Sequence, residues 1–446
     1  MQRVAPMKIL PIENLRGVIE IPGDKSISHR SIIFSSLADT PLEIENFLRG
    51  ADCMSTVACM KIFGADIKFD GNKVLVKGNG LHGLREPENV LDAGNSGTTL
   101  RLLMGLAAPQ NFITTFTGDS SLRKRPMGRV IKPLTEMGAS IVGRNENKNL
   151  PITVIGKREQ GRGKSILIPN PYSLTPITYQ MPVASAQVKS AIILAGLYAN
   201  GVTTIIEPAP SRDHTEKMLS AFGARIEKVG NTVKVYPAEN LIAPKKITVP
   251  NDISSAAYWI VLAAVTKNSA VTIKNVGVNK TRTGILDVMK EMGAQIELEN
   301  LRESGGELSA DITVTSSKMR GVEIGGEIIP RLIDEVPVLA VAAAFCEGTT
   351  IIHDVGELRV KESDRLQAIA DEFNKISAGS FETTATDLII HGGLTKNFAE
   401  CKTYADHRIA MALSIFGAAA EGVEIDDADC VKISYPNFFE RFKWEK

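Results

Sequence analysis

Hydrophobic positions along this 446-residue chain follow two alternating spacings, and the alternation itself repeats. A run of small apolar residues, apolar on nearly every side, gives way to a short strand-like stretch. A polar loop follows, then an amphipathic helical stretch ending in a Gly-Ala step, then one or two more strand-like stretches. The first copy predicts a buried helix over Ile32–Ala38, a strand over Leu42–Phe47, a helix over Asp52–Ile62 closed by Gly64-Ala65, and strand pattern over Ile67–Val76. The second runs Leu102–Ala108, Ile113–Thr117, Met127–Glu136, Gly138-Ala139 and Ile152–Ile155. The third runs Ala191–Tyr198, Thr203–Ile206, His214–Ala221, Gly223-Ala224 and Thr232–Val235. The fourth is Ala256–Val265, Ala270–Ile273, Gly284–Glu291, Gly293-Ala294 and Asp311–Val314. The fifth lacks the Gly-Ala step: Val338–Phe345, Thr349–Ile352, Ser363–Phe373 and Asp387–Ile390. The sixth is truncated to Ile409–Ala419, Val423–Ile425, Lys432–Ser434, taken as a strand, and Phe438–Phe442.

Six copies spaced roughly 70–85 residues apart are too long for a solenoid repeat. Strands this short, alternating in polarity, bury one sheet face, and helices apolar all round belong in a core. The fold class is therefore α/β: two inside-out domains, each of three repeated βαβαββ-type units with buried helices and outer sheets. The best breaks are Pro22-Gly23 and Pro250-Asn251, and residues 7–21 form a strand-like leader. A chain that starts in one domain, builds the other and returns would have residues 1–22 and 251–446 as domain I, carrying both termini, and 23–250 as domain II.

Charge narrows the partners. Lys plus Arg and Asp plus Glu number 51 each, so no overall field favours nucleic acid or an anionic membrane. The apolar run near Ala256–Val265 is about half of a membrane span. Met1–Pro6 is a short extension without the apolar core of a signal peptide. The cysteines (Cys53, Cys59, Cys346, Cys401 and Cys430) are scattered, form no C-x-x-C or zinc spacing, and suit a reducing cytoplasm.

The polar interruptions of the repeats carry the chemistry. They read PGDKSISHR from Pro22, AGNSGTTLR from Ala93, KRPMGR from Lys124, SAQVKSA from Ser185 and SRDHTEKM from Ser211. LIDEVPVLA from Leu332, ELRVKESDR from Glu357 and ADHRIAM from Ala405 complete the set. Most combine a cation, a helix N-terminus and small polar residues. Backbone N–H groups at a helix start attract anions, and charge-assisted hydrogen bonds are about twice as strong as neutral ones. This is chemistry for phosphate and carboxylate groups, and the carboxylates of two motifs add candidates for proton transfer.

In this order these runs resemble the 5-enolpyruvylshikimate-3-phosphate synthase family, the 3-phosphoshikimate 1-carboxyvinyltransferases, within the enolpyruvyl transferase superfamily. The resemblance covers nearly the whole chain, and SAQVKSA and SRDHTEKM look like the branch called class II. It implies an active site in a cleft between two domains that closes on substrate. The implied reaction joins phosphoenolpyruvate to the 5-hydroxyl of shikimate 3-phosphate and releases phosphate through a tetrahedral intermediate, with no cofactor and no metal.

The resemblance also implies roles. Lys25 touches both substrates, and Ser26 and Arg30 meet the shikimate carboxylate side. Ser185, Ala186 through its backbone, and Gln187 meet the 3-phosphate region, with Gln187 also reaching phosphoenolpyruvate; Arg212 lies near the shikimate phosphate. Asn95, Gly97, Arg125, Arg365 and Arg408 hold the phosphate and carboxylate of phosphoenolpyruvate. Asp334 accepts the 5-hydroxyl proton, Lys361 lies beside the substrate hydroxyls, and Glu362 handles the proton at the methylene carbon. Thr98, Arg101, His407 and Lys432 form a second tier. Two positions depart from the family. Lys432 stands two residues before Ser434, where relatives carry lysine at the place of Ile433, and a one-residue shift on a strand reverses its face. Glu357 stands where relatives carry asparagine. Gly97 leaves room for the inhibitor glyphosate, whereas class II-like members are often tolerant of it.

Other patterns read as ordinary structure. Gly163-Lys164-Ser165 superficially suggests a P-loop, but Arg158 occupies the required glycine position. Asp92, Asp364 and Asp406 read as helix caps or partners of cations, Arg144–Lys148 as a solvated turn, and Asp426, Asp427 and Asp429 as a surface loop without EF-hand spacing. A transferase acting on UDP-N-acetylglucosamine would carry Lys-Asn near its N-terminus and a cysteine in a mobile loop. Here Lys25-Ser26 stands instead, and no cysteine lies in Arg123–Pro126. A non-catalytic binding protein would not be expected to keep Lys25, Arg125, Asp334 and Glu362. The expected enzyme is a cytoplasmic monomer with small-molecule substrates.

Overall fold

The computed structural model describes residues 6–156 and 174–442, so the glycine-lysine turn at Gly163–Ser165 lies outside the described residues. The chain divides into two compact units: Asp24–Val249 joined by Ser304–Glu307, and the rest. Each has its own hydrophobic core.

The first unit is built on three buried helices, Lys25–Ser36, Gly97–Ala107 and Ala186–Gly196. Asp24 caps the first by accepting from Ile27 N at 2.8 Å, and Ser96 caps the second by accepting from Thr99 N at 3.0 Å. Such caps satisfy N–H groups that the helix leaves unpaired. A β-carbon at Gly105 would run into the backbone of Ala191, so glycine is what lets the second and third helices approach closely. Each helix has its own four-stranded sheet, and the three sheets share one topology. In the third repeat, Thr178–Gln180 runs parallel to Thr203–Ile206, which pairs antiparallel with Thr232–Val235, which pairs antiparallel with Ile226–Val229. Alternate residues of each strand face the core, as at Leu42, Ile44, Val74 and Val76.

The second unit repeats the plan with Ile253–Val265, Val336–Ala344 and His407–Ala419. Val336–Ala344 is buried at every position, in keeping with a sequence apolar all round. The strands entering the first and fourth repeats are exchanged. Lys246–Thr248 precedes the fourth buried helix but pairs with Leu42–Glu45, and Arg16–Ile19 precedes the first but pairs with Ala270–Gly277. The exchange falls where the chain passes between units. The leader also supplies Met7–Ile9, which pairs with Val423–Ile425 and completes the truncated sixth repeat.

Two expectations need correction. Lys432–Ser434 is not a strand: Asp429–Ile433 is a short 3-10 helix. Both edges of Val423–Ile425 are already occupied, by Met7–Ile9 and Ala399–Cys401, so no edge of that strand is left to pair with. The helix expected over Ser363–Phe373 begins at Arg365 and widens to a π-helix over Ile369–Phe373.

Candidate active site

In the unit of Asp24–Val249 the expected residues gather at the N-termini of the buried helices. Lys25 opens the first helix and forms an ion pair with Asp52, in the first turn of Ala51–Ile62. Arg30 lies one turn further in and is 3% exposed. It donates from Nε to Thr215 Oγ1 at 2.7 Å, from Nη2 to Ser190 Oγ at 2.9 Å and from Nη1 to Ser26 O at 3.0 Å. Burial lowers its pKa to about 10, partly offset by Glu216 and Asp24, so it stays charged at neutral pH.

Asn95 sits in the loop before Gly97–Ala107. Its Oδ1 accepts from Arg125 Nη2 at 2.9 Å, and its Nδ2 donates to Asp119 at 2.6 Å. Gln187 joins two repeats: its Nε2 donates to Thr98 Oγ1 at 2.9 Å, and its Oε1 accepts from Arg101. A β-carbon at Gly97 would stand 2.7 Å from Arg101 Nη1, so glycine here leaves Arg101 its place. Ser185 occupies the cap position of Ala186–Gly196 without its side chain capping the helix. Arg212 lies in the loop before His214–Ala221.

Lys189, the cation of SAQVKSA, is no surface anchor. It is wholly buried, 2.8 Å from Glu207 and 2.7 Å from Glu216. Burial opposes its charge, but those two carboxylates outweigh it and raise its pKa. His29 is buried too. Its Nδ1 lies 2.6 Å from Thr56 Oγ1, which lies 2.6 Å from Thr99 Oγ1, which donates to Ser96 Oγ at 2.7 Å. Burial pushes the imidazole down to about 3, against the pull of Asp52.

In the other unit, Asp334 lies just before Val336–Ala344 with three cations around it. Its Oδ1 is 3.8 Å from Lys361 Nζ and 3.7 Å from Arg365 Nη1, and its Oδ2 is 3.7 Å from Arg408 Nη2. Arg408 also donates to Asp334 O at 2.8 Å. Arg365 donates to Glu362 Oε2 at 2.6 Å and to both oxygens of Asp406, at 2.8 Å and 3.2 Å. Burial opposes charge on Arg365 and Arg408. Asp406 and Glu362 outweigh it for Arg365, Asp334 and Tyr258 for Arg408, and both pKa values rise. Burial likewise opposes ionisation of Asp406, but Arg365 wins and holds the carboxyl below its usual value. His407 is buried at the first position of its helix.

Lys432 and Asp92 turn out differently in detail. Lys432 is exposed on its 3-10 helix, 2.6 Å from Asp429, and bonds none of the other expected residues. Glu357 lies 3.9 Å from Lys361 Nζ. Asp92 holds no cation; its Oδ1 accepts from Gly94 N at 2.8 Å in a tight turn. Asp52, Ser190, Thr215 and Glu335 went unseen as site residues. Ser190 and Thr215 lie inside quoted motifs, and Asp52 opens a predicted helix, so only the tertiary fold reveals their partners. Among the described residues no cluster of His, Cys, Asp or Glu could hold a metal ion, and no helix is long and apolar enough to cross a membrane.

The fold is that of the enolpyruvyl transferases. An enolpyruvyl transferase of Streptomyces tendae superposes with a TM-score of 0.78 at 18% identity, over 98% of this chain and 96% of that one. An EPSP synthase structure from Acinetobacter baumannii superposes with a TM-score of 0.85 at 40% identity, over 97% of this chain and 96% of that one. The 3-phosphoshikimate 1-carboxyvinyltransferase of Thermoanaerobacter sp. (strain X514) is 53% identical over 429 residues, 96% of this chain and 97% of that one. The family model of EPSP synthase (3-phosphoshikimate 1-carboxyvinyltransferase) matches residues 9–442, and the chain belongs to this family.

Proposed function

We infer that this chain carries out its family's reaction, transfer of the enolpyruvyl group of phosphoenolpyruvate to the 5-hydroxyl of shikimate 3-phosphate with release of phosphate. The chain is a transferase of the shikimate pathway. The observation that carries the site reading is the setting of Asp334: a carboxylate flanked at 3.7–3.8 Å by Lys361, Arg365 and Arg408, with Glu362 on the same Arg365. Nearby cations favour the ionised, proton-accepting form of such a group.

Asp334 takes the proton from the 5-hydroxyl as its oxygen bonds to C2 of phosphoenolpyruvate, while Glu362, which enters this step protonated, gives its proton to C3. The C2–O bond to phosphate then breaks, phosphate leaves, and Glu362 recovers a proton from the methyl group to restore the double bond. Arg125, Arg365 and Arg408 offset the charge of phosphoenolpyruvate, and Lys25, Arg30, Gln187 and Arg212 that of shikimate 3-phosphate. Fixed cations cancel the repulsion between two anions and hold the reacting atoms close. Five free, buried cysteines suit a reducing cytoplasm, and a monomer is the expected state, to be checked by gel filtration.

The test is phosphate release from phosphoenolpyruvate with shikimate 3-phosphate, beside UDP-N-acetylglucosamine as the alternative acceptor. Release with the shikimate alone, abolished by Lys25→Ala and strongly reduced by Asp334→Ala, is the expected result. Release with neither acceptor from folded protein would withdraw the site.

A further inference from the structure

The turn leading into the Asp406-His407-Arg408 motif has an unusual backbone. Tyr404 and Ala405 lie in succession in the left-handed region, at φ of +56° and +54°. Elsewhere among the described residues, every non-glycine residue with positive φ is Asn or Asp, apart from Glu146 in an exposed turn. Asn and Asp tolerate this region; tyrosine and alanine have no side chain that compensates locally. A strained turn persists where its surroundings over-determine it, and such turns concentrate at functional sites.

Here the surroundings are two carboxylates. Glu372, 2% exposed, accepts from Lys402 N at 2.8 Å and from the Tyr404 hydroxyl at 2.9 Å. Asp426 accepts from the backbone and the hydroxyl of Thr403, both at 2.8 Å. Glu372 stands in the π-helical stretch that continues from Arg365–Ala368, and π-helical turns often mark functional sites. From the turn the chain runs directly into Asp406, whose N donates to Thr403 O at 2.9 Å. Asp406 in turn holds Arg365, Ser363 and the backbone N of Arg408. One end of this short helical segment thus carries Arg365, and the other carries the group that fixes the turn beside it.

We propose that Glu372 is a positioning residue: it clamps the left-handed Lys402–Ala405 turn and so sets the Asp406 carboxylate that orients Arg365 and the helix start that presents Arg408. Glu372 touches no substrate and acts only through these residues. The proposal rests on the reading that Arg365 and Arg408 hold phosphoenolpyruvate.

The test compares KM for the two substrates separately. Glu372→Ala should raise KM for phosphoenolpyruvate about tenfold while KM for shikimate 3-phosphate stays within about twofold, because a small misplacement of a binding group acts on what that group binds. Glu372→Gln, whose Oε1 can accept from Lys402 N while its Nε2 donates to the Tyr404 hydroxyl, should stay near the wild type. Adding Ala405→Gly to Glu372→Ala should restore most of the loss, since glycine adopts the left-handed turn without a clamp. Should Glu372→Ala not fold, Tyr404→Phe removes one of the two bonds and should raise the same KM about threefold. Equal rises in both KM values, or a rise that Ala405→Gly does not reverse, overturn the proposal. Arg408→Lys separates the two failures. If it leaves KM for phosphoenolpyruvate unchanged, the site reading falls and Glu372 with it. If it raises that KM while Glu372→Ala does not, only the role of Glu372 falls.

Discussion

Arg30 in one unit and Arg365 and Arg408 in the other are braced by opposite means. Arg30 rests on two hydroxyls and a backbone carbonyl, and its pKa is lowered. Arg365 and Arg408 rest on Asp406, Glu362, Asp334 and Glu335, and theirs are raised. A neutral brace orients a cation and leaves its charge for an anionic ligand. A carboxylate brace cancels part of that charge, and in exchange places a proton acceptor, Asp334, at 3.7–3.8 Å from cations that favour its ionised form. The first arrangement suits binding alone, whereas the second suits binding together with proton transfer.

The largest expected break in this contrast is at Asp334. Asp334→Asn keeps the shape and removes the proton acceptor, so kcat should fall about 10²–10⁴-fold, the range of general base catalysis, with modest change in either KM. Steady-state kinetics decide it, and a kcat within a few-fold of wild type would move the base elsewhere. Next in size is the stability of the carboxylate brace. Asp406→Asn retains a good helix cap but leaves the buried Arg365 short of charge. Unfolding in urea should show a loss of about 3–5 kcal/mol. A loss under about 1 kcal/mol would mean that Glu362 alone suffices.

The hydroxyl-braced unit carries a different signature, in pH. His29, wholly buried, is held neutral down to about 3, chiefly by burial. The unfolded chain takes up that proton below about pH 6.5 and the folded chain does not, so the unfolded state binds more protons throughout the window between. The contribution of His29 is complete above about pH 6.5 and is lost as pH falls, by at most about 1.4 kcal/mol per pH unit. His29→Gln should start less stable at pH 7, and its deficit should shrink between pH 6.5 and pH 4 in thermal or urea unfolding. A deficit independent of pH would contradict the neutral buried imidazole.

How much of this was legible in the sequence depended on whether a feature was local. Thr203–Ile206, His214–Ala221 and Val423–Ile425 have the bounds that their patterns predict, because periodicity and flanking turns are written in neighbouring residues. Pairing is not written there. Nothing in Met7–Ile9 says that it completes the last repeat, or in Lys246–Thr248 that it joins the first. Lys432–Ser434 read as a strand because its composition allows one, and it failed for want of an edge on Val423–Ile425. Site cations were legible as charge next to helix starts. Their braces were not. A serine or threonine inside a helix is locally unremarkable, and Lys189 looks like an anchor until Glu207 and Glu216 are seen around it.

The smallest expected effect is the sharpest test of the contrast, because it asks whether hydroxyls alone direct Arg30. Thr215→Val and Ser190→Ala each remove one acceptor from a guanidinium with three bonds to protein. A lost neutral acceptor on a buried charge costs about 1–3 kcal/mol. The neighbouring Lys189–Glu216 pair keeps the two helices joined, so most of this should appear as misdirection of Arg30 rather than unfolding. Each variant should then raise KM for shikimate 3-phosphate about five- to thirtyfold, leave kcat and KM for phosphoenolpyruvate nearly unchanged, and lose little thermal stability. Thr215→Ser, which keeps the hydroxyl, should behave as wild type. If kcat falls instead, Arg30 acts on the transition state and not on binding alone. The division of labour between neutral and carboxylate braces would then not hold.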